Sequence, residues 1–120
     1  MTQVLARAKH VPMPARKVRR VIDQVRGLSA DEALDLLHFL PHAAADPVGK
    51  LIRSAIANAE QNFEIPRDVL HVASIMADEG PGLMPGKGWR RRFGGRGRWR
   101  PVRKRSSHIT VVLEDKESEE

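Results

Sequence analysis

Apolar and polar residues alternate over residues 4–11, which is the pattern of a β-strand with one buried face. Val4, Ala6 and Ala8 share the apolar face, because successive side chains of a strand point to opposite sides. Pro12 ends the strand, since a proline cannot donate to the hydrogen-bond ladder of a sheet. The sequence therefore predicts that the chain begins with a half-buried strand.

Two helices are predicted next, because apolar residues then recur at spacings of three and four. Pro14 suits the first turn of the first helix, and Gly27 suits its C-terminal cap. The apolar stripe of this helix comprises Val18, Val21, Ile22 and Val25. Ser29 and Glu32 have the spacing of a capping box that opens the second helix, and Pro41 ends it. The second stripe comprises Leu34, Leu37 and Leu40.

A third helix over roughly residues 43–62 and two further strands complete the predicted elements. This helix begins either at Asp46 and Pro47, which suit a cap, or one turn earlier. Its apolar side comprises Val48, Leu51, Ile52, Ala55, Ile56 and Ala59. The two strands span residues 69–77 and 107–113. The inward residues of the second strand are Ile109, Val111 and Leu113.

Residues 80–105, between those two strands, cannot form part of a core. They hold ten of the 21 Lys and Arg residues, and residues 80–97 hold seven of the nine glycines. Because the flanking strands can pair, we predict a long protruding β-hairpin at about residues 78–105, whose arms reach ~40 Å from the domain at ~3.3 Å per residue. We expect one globular α+β domain over residues 1–113, followed by an acidic, disordered tail over residues 114–120.

Charge is segregated along the chain rather than mixed. The 120 residues carry a net charge of +6, which separates into +6 over residues 1–29, −6 over 30–79, +10 over 80–105 and −4 over 106–120. A surface that serves only solubility intermixes its signs. Two cationic blocks around an acidic middle therefore favour binding to a polyanion.

Several function classes are disfavoured by what the sequence lacks. The chain has no cysteine, which excludes a disulfide framework, a thiolate metal site and a cysteine nucleophile. No apolar run approaches the ~20 residues of a membrane span. The N-terminal residues show neither the apolar core of a secretion signal nor an Arg- and Ser-rich presequence pattern. We therefore expect a cytoplasmic protein without a membrane partner.

The second cationic block contains aromatic residues that suit nucleic acid. Residues 87–105 read KGWRRRFGGRGRWRPVRKR. Arg and Lys neutralise phosphates, and Trp89, Phe93 and Trp99 offer faces on which bases stack or which fill crevices in RNA. The alternative is a solvated basic tail, which would expose three large aromatic side chains without a purpose. The pattern therefore favours RNA binding.

A second cationic patch lies on the polar face of the first predicted helix. It comprises Arg16, Lys17, Arg19, Arg20 and Arg26. Asp23 is the only acid beside these five cations. An ordinary solvated helix face is the alternative, but the charge imbalance favours contact with RNA phosphates.

The histidines do not form a catalytic or metal site in this pattern. His38 and His42 have the i, i+4 spacing of two metal ligands, but Pro41 interrupts the helix that would align them. Ser107 and His108 are neighbours on a predicted strand, so their side chains point to opposite faces and cannot act as nucleophile and base. A hydrogen bond from His108 to a backbone group or a phosphate is the favoured interpretation. We expect no catalytic residue, metal or cofactor.

The approach to the last strand carries a family signature. Residues 102–113 read VRKRSSHITVVL and follow Gly97 and Arg98. This closely resembles the terminal pattern Gly-Arg-Ala-x-x-Ile-x-Lys-Arg-Thr-Ser-His-Ile-Thr-Val-Val of the bacterial-type large-subunit ribosomal protein twenty-two family. The resemblance covers roughly residues 4–113. Four more segments resemble the same family in the same order: PARKVR at 14–19, FLP at 39–41, SAIANAE at 54–60 and ADEGP at 77–81.

The resemblance implies an α+β fold in which three helices pack on a three-stranded antiparallel sheet with a protruding hairpin. It implies a structural constituent of the large ribosomal subunit, not an enzyme, that binds large-subunit rRNA and supports subunit assembly. The hairpin would line the nascent-peptide exit tunnel. The implied partners are rRNA, neighbouring large-subunit proteins and, transiently, the nascent peptide; no homo-oligomer is expected.

The sequence departs from the family pattern at two places. A Gly- and Trp-rich stretch at 82–96 replaces the usual hairpin tip, so only Gly97, Arg98 and residues 103–108 correspond directly to family positions. Met13 stands where the family has a helix-capping Ser, which costs the helix ~1 kcal/mol of stability.

Charge, motif and resemblance together predict one set of rRNA-binding residues. The set comprises Arg7, Lys9, Arg16, Lys17, Arg19, Arg20, Lys87, Arg90, Arg91, Arg92, Arg96, Arg98, Arg100, Arg103, Lys104, Arg105, Ser107 and His108. Two other classes are weighed against a ribosomal protein. One is a free RNA-binding regulator that uses RFGGRGR at 92–98, and the other is a nuclease that uses His108, which lacks a paired acid or a metal shell.

Overall fold

The structure, a computed structural model, describes residues 2–80, 89–94, 98–103 and 105–115; of 89–94 and 98–103 it describes the backbone. The elements along the chain are β1 (Gln3–Val11), α1 (Ala15–Val25), α2 (Ala30–Phe39), α3 (Ala45–Asn62), a short 3-10 helix (Arg67–Val69), β2 (Leu70–Glu79), β3 (Trp89–Gly94), β4 (Arg98–Arg103) and β5 (Ser107–Asp115).

The main sheet has three antiparallel strands in the order β1-β5-β2, so the last strand lies in the centre. Val111 of β5 faces Ala6 on one side and Ile75 on the other. All three helices pack on the face that carries these residues. The predicted fold class, three helices on a three-stranded antiparallel sheet, is confirmed.

Most of the predicted apolar positions lie in the core. The stripes of α1 and α3 are buried throughout, as are Ile109, Val111 and Leu113 of β5. In α2 the prediction was partly wrong, because the buried residues are Ala30, Ala33 and Leu37. Leu34 and Leu40 are only partly buried and pack at the margin of the core. Two alanines on the inner side let the backbone of α2 approach its neighbours, which moves the larger leucines to the rim.

The helix ends follow local chemistry. Ser29 caps α2, since its Oγ accepts a hydrogen bond of 3.2 Å from the backbone N–H of Glu32. The start of α3, which the sequence left open, is the earlier alternative. The helix begins at Ala45, and Pro47 lies inside its first turn, where a missing N–H breaks no helical bond.

The ends of α1 confirm one prediction and refine another. Gly27, just beyond the helix, has a φ of +85°, the left-handed conformation that glycine adopts most readily. Its N–H donates to the carbonyl of Val72 on β2 over 2.9 Å. Pro14 is the residue before the helix rather than part of its first turn, and no side chain caps the helix there. Pro14 has no side-chain acceptor, so the predicted cost of Met13 at the position of the family's Ser stays a prediction.

Strand β5 is longer than predicted. It continues to Asp115, and Glu114 pairs with Gln3 of β1 and His71 of β2. The two residues at the start of the predicted disordered tail therefore belong to the sheet, because strands on both sides offer them backbone partners. Residues 116–120 lie outside the described part of the chain.

Strands β3 and β4, which lie between β2 and β5 in the sequence, form a second, two-stranded antiparallel sheet. Its register runs from Trp89 opposite Arg103 to Gly94 opposite Arg98. The radius of gyration is 17.5 Å, against roughly 14 Å for a compact domain of this length, and the longest dimension is 67 Å. The protein is therefore elongated, with two pairs of antiparallel strands that follow one another along the predicted hairpin.

Candidate nucleic-acid interface

The hairpin leaves the domain beside an irregularity in β1. Two residues of β1, Lys9 and His10, lie opposite the single residue His108 of β5, which makes a β-bulge. His10 has a φ of 58°, which is uncommon for a residue with a side chain. Its backbone N–H donates to Nδ1 of His108 over 3.1 Å, and the two rings meet edge to face with centroids 4.9 Å apart. The bulge is thus closed by a side chain instead of by the sheet ladder.

This contact gives His108 a structural role. Because Nδ1 accepts a hydrogen bond, the neutral ring carries its proton on Nε2. The sequence favoured a bond from His108 to a backbone group or a phosphate, and the structure shows a backbone partner, with His108 as acceptor. Nε2 remains a donor for a second partner.

Ser107 was wrongly included among the predicted rRNA-binding side chains. It is fully buried, and its Oγ has no hydrogen-bond partner among the described residues. A side chain enclosed beneath the sheet cannot reach a phosphate outside the protein. The alternation of buried and exposed residues in β5 predicts this burial, because Ser107 lies two residues from the buried Ile109 and therefore on the same face of the strand.

Gly80 and Ser106 bring the two sides of the hairpin together at its root. The N–H of Gly80 donates to the carbonyl oxygen of Ser106 over 2.9 Å. A Cβ atom on residue 80 would lie 2.5 Å from the Oγ of Ser106 and 3.3 Å from Cε1 of His108. Only a glycine fits this approach without displacement of its neighbours.

The cationic patch of α1 divides into two groups with different contacts. Arg19 donates from Nε and Nη2 to the carbonyl oxygen of Ala77, over 3.1 and 2.9 Å. Arg26 donates from Nη2 to the carbonyl oxygen of Ile75 over 2.8 Å and forms an ion pair with Asp23. The sheet therefore engages two of the five N–H groups of Arg19, and the predicted role of Arg19 in RNA binding stays a prediction. The second group of the patch is exposed, and among the described residues its side chains have no hydrogen bond to the sheet. It comprises Arg16, Lys17 and Arg20.

These arginines cover two carbonyls on the outer edge of β2. Farther along that edge, the N–H of Val72 donates to the carbonyl of Leu28 over 2.8 Å, and Ser29 forms a bridge with His71. Main-chain groups on one half and guanidinium groups on the other thus bind part of the hydrogen-bonding groups of this edge strand. Such groups otherwise pair with strands of other molecules.

The sheet face opposite the helices is the second candidate surface, and we call it the open face. The helical layer packs only on the other side. Two of the predicted RNA-binding cations, Arg7 and Lys9, are exposed on the open face, and His108 is half-buried beside them. The residues of the open face are Gln3, Leu5, Arg7, Lys9, His71, Ser74, Met76, Asp78, His108, Thr110, Val112 and Glu114.

The remaining predicted binding residues belong to the hairpin. Lys87, Arg96 and Lys104 lie outside the described residues. Arg105 is described and exposed. For the following residues the structure gives the backbone, which places them on β3 and β4: Trp89, Arg90, Arg91, Arg92, Phe93, Arg98, Trp99, Arg100 and Arg103. The register sets Phe93 directly opposite Trp99.

Metal and membrane interpretations find no support in the described residues. No group of three or more His, Asp or Glu side chains there could hold a metal ion. His38 lies in the last turn of α2 and His42 lies beyond its end, so the two do not share a helix face. Among the helices of the described chain, none combines the length and apolar character that a bilayer span requires.

The protein is a small α+β domain with exposed cations on one helix and on one sheet face. The domain is joined to a strand pair that is rich in Lys and Arg. This arrangement is typical of basic proteins that combine a folded domain with a cationic extension. Comparison with known families makes the assignment specific. Residues 6–114 match the family described as ribosomal protein L22p/L17e, and the chain belongs to this family.

Individual relatives agree over nearly the whole length. The large ribosomal subunit protein uL22 of Latilactobacillus sakei subsp. sakei (strain 23K) is 48% identical over 118 residues, which cover 98% of this chain and 97% of the relative. Proteins with the same name from Desulfitobacterium hafniense strains Y51 and DSM 10664 / DCB-2 are 45% and 44% identical over 116 residues, with 97% of each chain covered. The chain is therefore a structural constituent of the large ribosomal subunit and not an enzyme.

Proposed function

We propose that this chain binds large-subunit rRNA, supports assembly of the subunit and lines the nascent-peptide exit tunnel with its hairpin. The observation that carries the proposal is the run of ten Lys and Arg residues, without one acid, over residues 80–105. Like charges at this density repel one another unless anions surround them. The phosphates of rRNA are the abundant anions of the particle to which the family belongs.

The domain contributes two further cationic surfaces. Arg16, Lys17 and Arg20 project from α1, and Arg7 and Lys9 project from β1. Each cation that meets a phosphate releases condensed counterions, so this release favours binding, and binding weakens with added salt. Base stacking on the aromatic residues of the hairpin would add contacts that salt weakens less.

The acidic residues support an orientation of the domain. Residues 30–79 carry a net charge of −6. Exposed acids include Glu32 and Asp35 on α2 and Glu60 on α3. This side would repel rRNA and would face solvent or neighbouring ribosomal proteins, while α1 and the hairpin face the rRNA. The nascent peptide would meet only the hairpin, and no second copy of the chain is required.

A free RNA-binding regulator is the second candidate, because RFGGRGR at 92–98 is typical of flexible Arg-Gly segments. The family assignment favours the ribosomal role. Sedimentation of a cell extract through high salt separates the two, since a stoichiometric ribosomal component stays with the large subunit and a regulator is released.

Titration of bacterial large-subunit rRNA with the purified chain, over a series of KCl concentrations, tests the proposal. We expect tight binding with a steep salt dependence. Deletion of residues 82–99 should leave the far-ultraviolet circular dichroism and cooperative unfolding of the domain intact while it reduces both affinity and salt dependence. The matched control replaces two exposed cations of α3, Lys50→Ala and Arg53→Ala, and should change neither. A deletion that unfolds the domain, or binding that salt does not weaken, would contradict the proposal.

A further inference from the structure

The side chains of the open face form rows across the three strands, and the rows differ in whether they are polar, apolar or charged. β5 is the central strand, so each outward residue of β5 has a neighbour on β1 and another on β2. The first row, at the end far from the hairpin, contains Gln3, Glu114 and His71, and the second contains Leu5, Val112 and Ser74. The third row contains Arg7, Thr110 and Met76. The fourth contains His108 and Asp78, beside the bulge that includes Lys9.

In the first row, the carboxylate of Glu114 has a partner on each neighbouring strand. Nε2 of Gln3 donates to Oε1 of Glu114 over 2.7 Å. Nε2 of His71 lies 3.8 Å from the other carboxylate oxygen of Glu114. The acid of this row is therefore engaged within the sheet and marks the limit of the cationic part of the face.

The two middle rows contain an apolar strip that none of the described elements covers. Leu5 is 51% exposed and Met76 45% exposed, and the half-buried Val112 lies directly opposite Leu5. Adjacent exposed apolar residues on a monomer often mark a binding surface. These three side chains line one depression together with Arg7 and Lys9.

Cations border this strip on the side of β1. Arg7 occupies the same row as Met76, and Lys9 follows at the bulge, next to the root of the hairpin. A nucleotide has a similar arrangement, because the flat base and the sugar carry apolar surface and the phosphate beside them carries the charge. Asp78, the remaining acid, lies on β2 at the opposite margin, which directs phosphates toward β1.

We propose that the open face binds an unpaired segment of rRNA, with sugar or base surface on Leu5, Val112 and Met76 and phosphates at Arg7 and Lys9. This inference rests on the proposed rRNA binding and adds to it a contact that is apolar rather than ionic. A protein partner is disfavoured, since the cations make the border complementary to a polyanion. The face also adjoins the hairpin root, so a single RNA path could run from one to the other.

Two double variants separate the apolar contact from the ionic contact. Leu5→Ser with Met76→Ser should weaken binding to bacterial large-subunit rRNA roughly tenfold, as expected for the lost burial of two half-exposed apolar side chains. The slope of log K against log[KCl] should stay the same, because no phosphate contact is removed. Arg7→Ala with Lys9→Ala should weaken binding and reduce the magnitude of that slope by up to about 1.4, the value for two phosphates of an unpaired strand.

The control carries the same kind of change elsewhere. Phe39→Ser with Phe63→Ser removes two exposed apolar side chains, 80% and 51% exposed, that lie outside the open face, and should leave affinity unchanged. Leu5→Ile with Met76→Leu should retain binding. A photo-crosslinking residue at position 76 of the full chain gives a measurement independent of the serine variants, with a crosslink to rRNA expected.

Each other outcome identifies what fails. If the wild-type chain does not bind rRNA, the proposed function fails and this inference fails with it. If the wild type binds and neither the serine variant nor the crosslink reports on the open face, only this inference is overturned. If the serine variant binds naked rRNA normally but is lost from assembled subunits, or position 76 crosslinks to protein, the face docks a protein and the RNA assignment is wrong.

Discussion

Arg19 of α1 donates two hydrogen bonds, from Nε and Nη2, to the single carbonyl oxygen of Ala77 on β2. Arg26, seven residues later and directly after the last residue of the helix, donates one hydrogen bond to the carbonyl of Ile75. Residues seven apart on a helix share a face, and residues two apart on a strand direct their carbonyls to the same edge. The helix is thereby fixed along the edge strand by its cations as well as by its apolar stripe.

The first prediction is that Arg19→Ala destabilises the fold by about 1–2 kcal/mol, because two charge-assisted hydrogen bonds are lost and the Ala77 carbonyl must find water instead. Urea unfolding followed by circular dichroism measures the change. Arg16→Ala is the control, since Arg16 is exposed on the same helix and its loss should cost less than ~0.5 kcal/mol. Equal effects of the two substitutions would show that the carbonyl contact does not contribute.

The second prediction concerns two glycines with opposite surroundings. Gly80→Ala should destabilise the domain by about 1–3 kcal/mol, because the new Cβ would overlap the Oγ of Ser106 and move the hairpin root. Gly49→Ala should stabilise it by ~0.5–1 kcal/mol, since Gly49 lies inside α3 and a Cβ there finds its nearest atoms at 3.8 Å. Thermal unfolding of both variants distinguishes the signs. A neutral Gly80→Ala would mean that the root adapts without cost.

The third prediction follows from the bulge at His10. His108→Phe keeps a ring against His10 but removes the nitrogen that accepts its backbone N–H. We expect a loss of about 0.5–1.5 kcal/mol in stability and faster hydrogen exchange of the His10 amide. His38→Phe, an exposed histidine on α2, is the control and should leave that amide unchanged. Unaltered exchange at His10 in the His108 variant would contradict the bond.

Periodicity predicted the elements well because burial leaves a direct trace in the spacing of apolar residues. The inward residues of β5 and of α1 and α3 could be read from that spacing alone. Ser107 is an even number of residues from Ile109, so the same alternation predicts that its side chain faces the core. The resemblance to the family instead led to its inclusion among the predicted RNA ligands. Here the physical pattern was the better guide.

The contacts that the sequence could not predict are those between elements distant in the chain. Whether an exposed arginine meets solvent, RNA or a strand edge depends on tertiary packing, so Arg19 could not be separated from Arg16 or Arg20 on the helix. The bulge at His10 has no local signal, because a left-handed histidine is set by the register of its partner strand. The rows of the open face likewise exist only once the strand order is known.

The last prediction concerns the cations of α1 that do not bind the sheet. Substitution of Arg16, Lys17 and Arg20 by alanine should reduce the affinity for large-subunit rRNA and lower the magnitude of its salt slope by about 0.7–0.9 for each phosphate contact removed. The loss should be similar for unrelated RNA sequences, because phosphate contacts do not distinguish bases. Filter binding at several KCl concentrations measures both quantities, and circular dichroism confirms that the helix remains folded, as expected for exposed residues.

Lys50→Ala with Arg53→Ala provides the comparison, since these exposed cations lie on α3, outside the proposed RNA-binding surfaces. An unchanged slope for the α1 variant, or an equal loss for the α3 variant, would place the RNA elsewhere on the domain.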